Sequence, residues 1–180
     1  KVIVRGQGAK ESVLDFSGQQ GAGEGLLVTS DDVVLRDFAV ENSKGDGIKS
    51  KGADRIVYHK LRVEWTGGPK TTNGAYGIYP VESKDVRIFG NIVVDNMTQN
   101  FAPKGNIVAN VPTGTGIMVM ANRNVEIFDN VLGENGTTNV MIVGYRFPHT
   151  DAKYDPLPRD VVIWDNQHGR AGWDPQFRGG

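Results

Sequence analysis

Gly116-Ile-Met-Val-Met-Ala-Asn-Arg-Asn-Val-Glu-Ile-Phe-Asp-Asn-Val-Leu-Gly-Glu-Asn135 decides the fold. Three short apolar runs, Ile117-Met-Val, Val125-Glu-Ile and Val131-Leu-Gly, are separated by Asn, Asp and Arg. The same order recurs along the chain. First runs begin at Gly25, Gly47, Gly77, Gly116 and Asn139, with shortest intervals of 22 residues (25 to 47) and 23 residues (116 to 139). Second runs are Val33-Val-Leu, Ile56-Val-Tyr, Val86-Arg-Ile, Val125-Glu-Ile and Val161-Val-Ile, and third runs are Phe38-Ala-Val, Leu61-Arg-Val, Ile92-Val-Val and Val131-Leu-Gly. A fixed three-strand order repeated at this period is the signature of a solenoid, in which equivalent strands of successive coils stack about 4.8 Å apart. Hairpins of an antiparallel sandwich would not reproduce that order five times.

The expected fold is therefore all-β: a right-handed parallel β-helix of about five to six three-strand coils with loop insertions on one face. It forms a single domain over 1–180, with 1–24 as a first partial coil, 25–166 as repeated coils and 167–180 as a C-terminal cap carrying Trp173 and Phe177. Leu26, Ile48, Ile78, Ile117 and Val140 should form one core row, and Val33, Ile56, Val86, Val125 and Val161 another. Asn91, Asn130 and Asn166, each two residues after an aromatic, suit coil corners, because Asn tolerates a left-handed backbone and its amide can bond the equivalent residue one coil away.

Composition agrees. The 180 residues include 24 Gly, 22 Val and 11 Ile against 7 Leu, a bias toward strands and turns. Lys plus Arg number 20 and Asp plus Glu 21, so the chain lacks the concentrated basic face of a nucleic-acid binder. Without Cys it has no disulfide, thiol nucleophile or thiolate metal site. No apolar run approaches the roughly 20 residues of a membrane span, and because Lys1 opens directly into the strand-like Val2-Ile-Val, no signal peptide is expected within these residues.

Function on a solenoid gathers where one face grows insertions. Residues 66–76 and 97–115 emerge just before first runs, and 144–159, with Tyr145, Arg146, His149, Asp151, Lys153, Tyr154 and Asp155, follows the last one. Between these walls the outward row would be Leu27, Lys49, Tyr79, Met118 and Met141. This row is too apolar for a bare surface: either the insertions bury it or it lines a saccharide-stacking cleft. For an anionic sugar, Tyr79 would offer a stacking face, Lys49 would stand beside it, and Lys70 would reach in from the first wall. Asp46, Glu64 and His149 are the candidate acid–base groups. Glu41, Glu64, Asp95 and Glu134 each follow a third run and form an acidic column, to be solvated, paired with Lys44, Arg62 or Lys70, or bound to a cation. No metal site or cofactor is assigned.

Gly45-Asp-Gly-Ile-Lys, Glu64-Trp-Thr-Gly-Gly-Pro-Lys-Thr-Thr-Asn-Gly-Ala-Tyr-Gly-Ile-Tyr-Pro and Asn100-Phe-Ala-Pro-Lys-Gly-Asn carry a resemblance. The chain resembles the right-handed parallel β-helix proteins of the pectin-lyase-like superfamily and, more narrowly, a bacterial envelope-associated β-helix family. That resemblance implies a periplasmic or secreted location and a saccharide-directed ancestry shared with polysaccharide lyases, uronate epimerases and glycosidases. Gly45-Asp46-Gly47 resembles one segment of a polygalacturonase site, and Pro148-His149-Thr150-Asp151 lies near an epimerase pattern without its leading Asp. The passage from Val86 straight into Arg87 reads as a family member shortened by some coils, as in an engineered chain. Three functions follow as expectations: binding of an anionic polysaccharide, an inert scaffold, or a lyase, epimerase or hydrolase. An uncovered N-terminal edge at Lys1–Arg5 should permit self-association.

Overall fold

The structure is a computed structural model that describes residues 1–21, 23–67, 75–96, 111–145 and 152–176. Among these residues there are strands and no helix, hence none long and apolar enough to cross a membrane. Strands of two to six residues arise because each apolar run is cut by residues that accept a left-handed backbone. Asp32, Arg55, Asp85, Asn124 and Asp160, with φ between 55° and 61°, turn the chain at one corner; Asp37, Lys60, Gly90, Asp129 and Asp165 turn it at the next.

The chain opens with β1 (Val2–Arg5) and β2 (Val13–Asp15), followed by five coils of three strands. These are β3 (Leu26–Val28), β4 (Val33–Arg36) and β5 (Ala39–Glu41); β6 (Ile48–Lys51), β7 (Val57–His59) and β8 (Arg62–Glu64); β9 (Tyr76–Val81), β10 (Lys84–Phe89) and β11 (Ile92–Val94); β12 (Thr115–Met120), β13 (Arg123–Phe128) and β14 (Val131–Gly133); and β15 (Thr138–Val143), β16 (Arg159–Trp164) and β17 (Gln167–His168). Every third strand pairs in parallel. Sheet A runs β1-β4-β7-β10-β13-β16, sheet B β2-β5-β8-β11-β14-β17, and sheet C β3-β6-β9-β12-β15. This is the arrangement of a parallel β-helix, and the expected first and second runs are its sheets C and A.

Both expected core rows lie in register, Ile48, Ile78 and Ile117 in one and Ile56, Val86 and Val125 in the other, all fully buried. At the corner before sheet C the chain passes so near its neighbour that a Cβ on Gly47 would sit 2.4 Å from Val63 Cγ1 and 2.6 Å from the Gly77 carbonyl oxygen. Only glycine fits that approach. The asparagine ladder forms as expected: Asn91 Nδ2 donates to Asn130 Oδ1 at 2.9 Å and Asn130 Nδ2 to Asn166 Oδ1 at 2.8 Å. The left-handed positions, however, are Gly90, Asp129 and Asp165, one residue earlier. The Asn side chains thus turn inward and bond backbone, as Asn130 Nδ2 does to the Ile88 carbonyl at 3.0 Å.

Two further expectations need correction. Sheet B pairs Ala39 with Arg62 and Arg62 with Ile92, one residue off the sequence alignment, which had matched Phe38 and Leu61 with Ile92. The segment read as a cap extends the ladder instead: β17 pairs β14, Ala171 bridges Asn135, and Asp174 N donates to the Gly136 carbonyl at 3.0 Å. Trp173 remains 39 % exposed, and Phe177 lies outside the described residues.

Candidate functional site

Pleating sends alternate residues of sheet C inward and outward, so Leu27, Lys49 and Tyr79 form one outward row, with Met118 beside Met141 further along. The row is not open. Tyr79 and Met118 are 7 % and 0 % exposed, within a second apolar cluster that includes Tyr76, Val111, Met120 and Ala121. Tyr79 meets the Tyr76 ring edge-on at 5.0 Å, and its hydroxyl faces Met120 Sδ at 3.5 Å. The expected stacking face of Tyr79 is therefore spent on this second core, where apolar neighbours replace water. Lys70 and His149 lie outside the described residues.

Lys49 sits at the rim of that cluster. Its Nζ is 5.1 Å from the Tyr79 ring centroid, 3.1 Å from Glu24 Oε1 and 3.7 Å from Asp46 Oδ2. Burial pushes the Asp46 carboxyl up to about 7, against the pull of Lys49 and with a further push from Glu24. Glu24, despite its own burial, is held below the ordinary carboxylate range by a backbone N–H and by Lys49. With two acids around one base the cluster does not attract anions. Asp46 can exchange a proton near neutral pH, as a general acid or base must.

Glu64, the other acid–base candidate of the described residues, is engaged elsewhere. The one-residue offset of sheet B splits the expected acidic column: Asp15, Glu41 and Glu64 align within strands, whereas Asp95 and Glu134 occupy a left-handed corner. Arg62 joins the first group, with Nη2 2.7 Å from Glu41 Oε1 and Nη1 bonded to Glu64 Oε1. Burial raises the Glu64 pKa while Arg62 opposes it. In the second group, burial and then Glu134 raise Asp95, and Arg170 Nη2 pairs with Glu134 at 2.6 Å. Among the described residues no cluster of three or more metal-ligating side chains is assembled.

An open cleft of about 360 Å³ lies at the corner between sheets C and A. Lys84, Arg123 and Arg159 start three successive strands of sheet A and fall in register, a column of three cations at one coil spacing. Lys84 and Arg123 line the cleft with Lys153, Tyr154 and Asp155. The Tyr154 ring holds the cations together, with Lys84 Nζ at 5.2 Å and Lys153 Nζ at 4.8 Å from its centroid. Tyr154 Oη donates to Asp54 Oδ1 at 3.1 Å, Lys153 Nζ lies 3.2 Å from Asp54 Oδ2, and Asp155 Oδ2 is shared by Arg159 at 2.8 Å and Arg123 at 3.6 Å. Asp31 also acts on Lys153 and Asp160 on Arg159, so the four cations of this corner face four carboxylates.

The third insertion, which carries Lys153, Tyr154 and Asp155, is legible in the sequence as a wall. Lys84 and Arg123 are not singled out there, although aligning the second runs puts each two residues before its core valine, beside Arg159 in the same place. No family model, curated protein or solved structure matches the chain.

Proposed function

We propose that this β-helix binds an acidic saccharide, with the Lys84–Arg123–Arg159 column and Lys153 as the contact surface in place of the face around Tyr79. The observation that carries the reading is the column itself. Cations spaced by one coil, about 4.8 Å, suit a linear polymer that repeats a carboxylate, and guanidinium and ammonium groups form charge-assisted bonds with carboxylates. The resemblance of Gly45-Asp-Gly-Ile-Lys and the Glu64–Pro80 stretch to saccharide-directed β-helix proteins agrees with this ligand class. Binding is favoured over turnover, because Asp46 is the one described candidate with a proton to exchange near neutrality and Glu64 is paired with Arg62.

Titration of the chain with oligouronates at low salt should show binding that Lys84→Ala and Arg123→Ala each weaken by about 3- to 10-fold, the range for one charge-assisted contact on an exposed surface. Added salt should weaken it further, and a neutral oligosaccharide of equal length should not compete. If the unmodified chain has no affinity for any acidic glycan, the inert-scaffold reading stands, which the burial of Tyr79 and Met118 already favours for the sheet C face. Release of shortened or unsaturated sugars would overturn the preference for binding and return Asp46 to a catalytic role.

A further inference from the structure

Among the described residues, both ends of the coil stack present strands paired on one side only, with apolar side chains. At the N-terminal end β1, β2 and β3 are each the last member of a sheet; at the other end β16, β17 and β15 are. Ile3 and Leu27 are 58 % and 54 % exposed at the first edge, Val162 and Ile142 55 % and 46 % at the second. The first edge surrounds a hollow of about 300 Å³ lined by Val2, Val4, Leu26, Val28, Val33 and Leu35.

The two edges complement one another in sheets A and B. Val2 and Val4 align with the buried Val33 and Leu35, so they point inward, as Val161 and Ile163 do beside the buried Val125 and Ile127. Laying β1 of one copy on β16 of another in this phase sets Val2 on Val161, Ile3 on Val162, Val4 on Ile163 and Arg5 on Trp164. Sheet B continues in the same step, with Val13 on Gln167 and Leu14 on His168, whereas sheet C, whose first strand β3 lies one coil beyond β1, keeps a gap of one strand between β15 and β3.

Charge selects this pairing over its alternatives. Lys1 would meet Asp160, in the corner column where Arg55 Nε already pairs with Asp32 one coil away at 2.8 Å. Arg5, which reaches Asp37 on its own side at 3.5 Å, would meet Asp165 in the same corner column and the face of Trp164. Trp164 ends a stack with Phe128, Phe89 and His59 at 4.4, 4.9 and 4.2 Å between successive centroids, leaving its outer face for a cation. Pairing two N-terminal edges would oppose Lys1 and Arg5 with their own copies, and pairing two C-terminal edges would oppose Asp160 and Asp165.

We propose that copies of residues 1–180 stack head to tail, β16 pairing with β1 and β17 with β2 of the next copy in parallel, so that sheets A and B continue across the junction. The contact is heterologous and does not close, so assembly grows into linear stacks.

Parallel pairing uses alternate residues for each neighbour. Val2 N and Gly6 N donate to the Asp32 and Arg36 carbonyls, so the Ile3 N–H faces the free edge; Arg87 N, two coils before Val162 in the same row, donates back to the Ile56 carbonyl, so the Val162 N–H points to β13 and the Ile163 N–H faces the other edge. Ile3→Pro and Ile163→Pro each remove a donor used only in the stack, at edge positions that tolerate proline. By sedimentation over about 1 to 200 μM, where mass action governs association, the unmodified chain should grow past dimer. Each proline variant alone should stay monomeric, and an equal mixture of the two should form dimers and stop. A monomeric unmodified chain, an assembly that ends at dimer, or dimers of either proline variant alone would overturn the proposal. If a proline variant fails to fold, Asp160→Lys should suppress growth and the double variant Lys1→Asp/Asp160→Lys should restore it; equal growth of all three forms would equally overturn it.

Discussion

Asp46 carries the largest local conflict in the described site, a carboxyl group buried beside Lys49 and Glu24. Unfolded, it ionises near 3.8; folded, near 7. Between those values the folded chain keeps a proton that the unfolded chain has released, so this group's stabilising contribution is whole below about pH 4 and fades as pH rises through 7. Asp46→Asn keeps the neutral shape and removes the titration. Denaturant unfolding at a series of pH values should show the variant and the parent nearly equal near pH 4, with the variant ahead by about 1–4 kcal/mol at pH 8. A difference that stays constant across that range would contradict the burial of this carboxyl. The Gly45-Asp-Gly motif points to Asp46 from sequence, whereas its burial beside Tyr76 and Tyr79 of the next coil is encoded by no local spacing. Tyr79 itself shows the limit: an outward position in a strand is exposed only if nothing is laid on top.

Among the elements, sheets A and C were legible because each strand begins at a repeated Gly or carries a repeated valine or isoleucine. Sheet B was legible only to within one residue. Its short runs follow a corner where the left-handed residue is Asp37, Lys60, Gly90, Asp129 or Asp165, and that residue type varies too much to set the phase by eye. One residue of slip exchanges the two faces of a strand, which is why Glu41 and Glu64 appeared aligned with Asp95 and Glu134. The asparagine ladder fixes the phase physically. Asn130 Oδ1 accepts from both the backbone N and the side-chain Nδ2 of Asn91, and its own Nδ2 donates to Ile88 O and Asn166 Oδ1. Asn130→Ala would leave these buried groups unpaired and should cost about 2–5 kcal/mol of unfolding free energy, with Asn91 and Asn166 equally intact in sequence. A loss below about 0.5 kcal/mol would mean that the ladder is solvated rather than sealed.

At the scale of the molecule, everything proposed depends on one register: the Lys84–Arg123–Arg159 column, the paired acids around Arg62, and the two complementary edges. The chain has no cysteine, so engineered cysteines report that register without interference. Val57 is aligned with Arg87, and Glu126 with Val162, on neighbouring coils of sheet A. Cα atoms one coil apart, about 4.8 Å, fall within disulfide reach, while those two coils apart do not. Mild oxidation of the Val57→Cys/Arg87→Cys and Glu126→Cys/Val162→Cys variants, followed by mass spectrometry of the peptides from single chains, should give the intrachain disulfide in both. The Val57→Cys/Glu126→Cys variant, two coils apart, should remain reduced. Cross-linking of that distant pair in place of the two neighbouring pairs would contradict the parallel coil register.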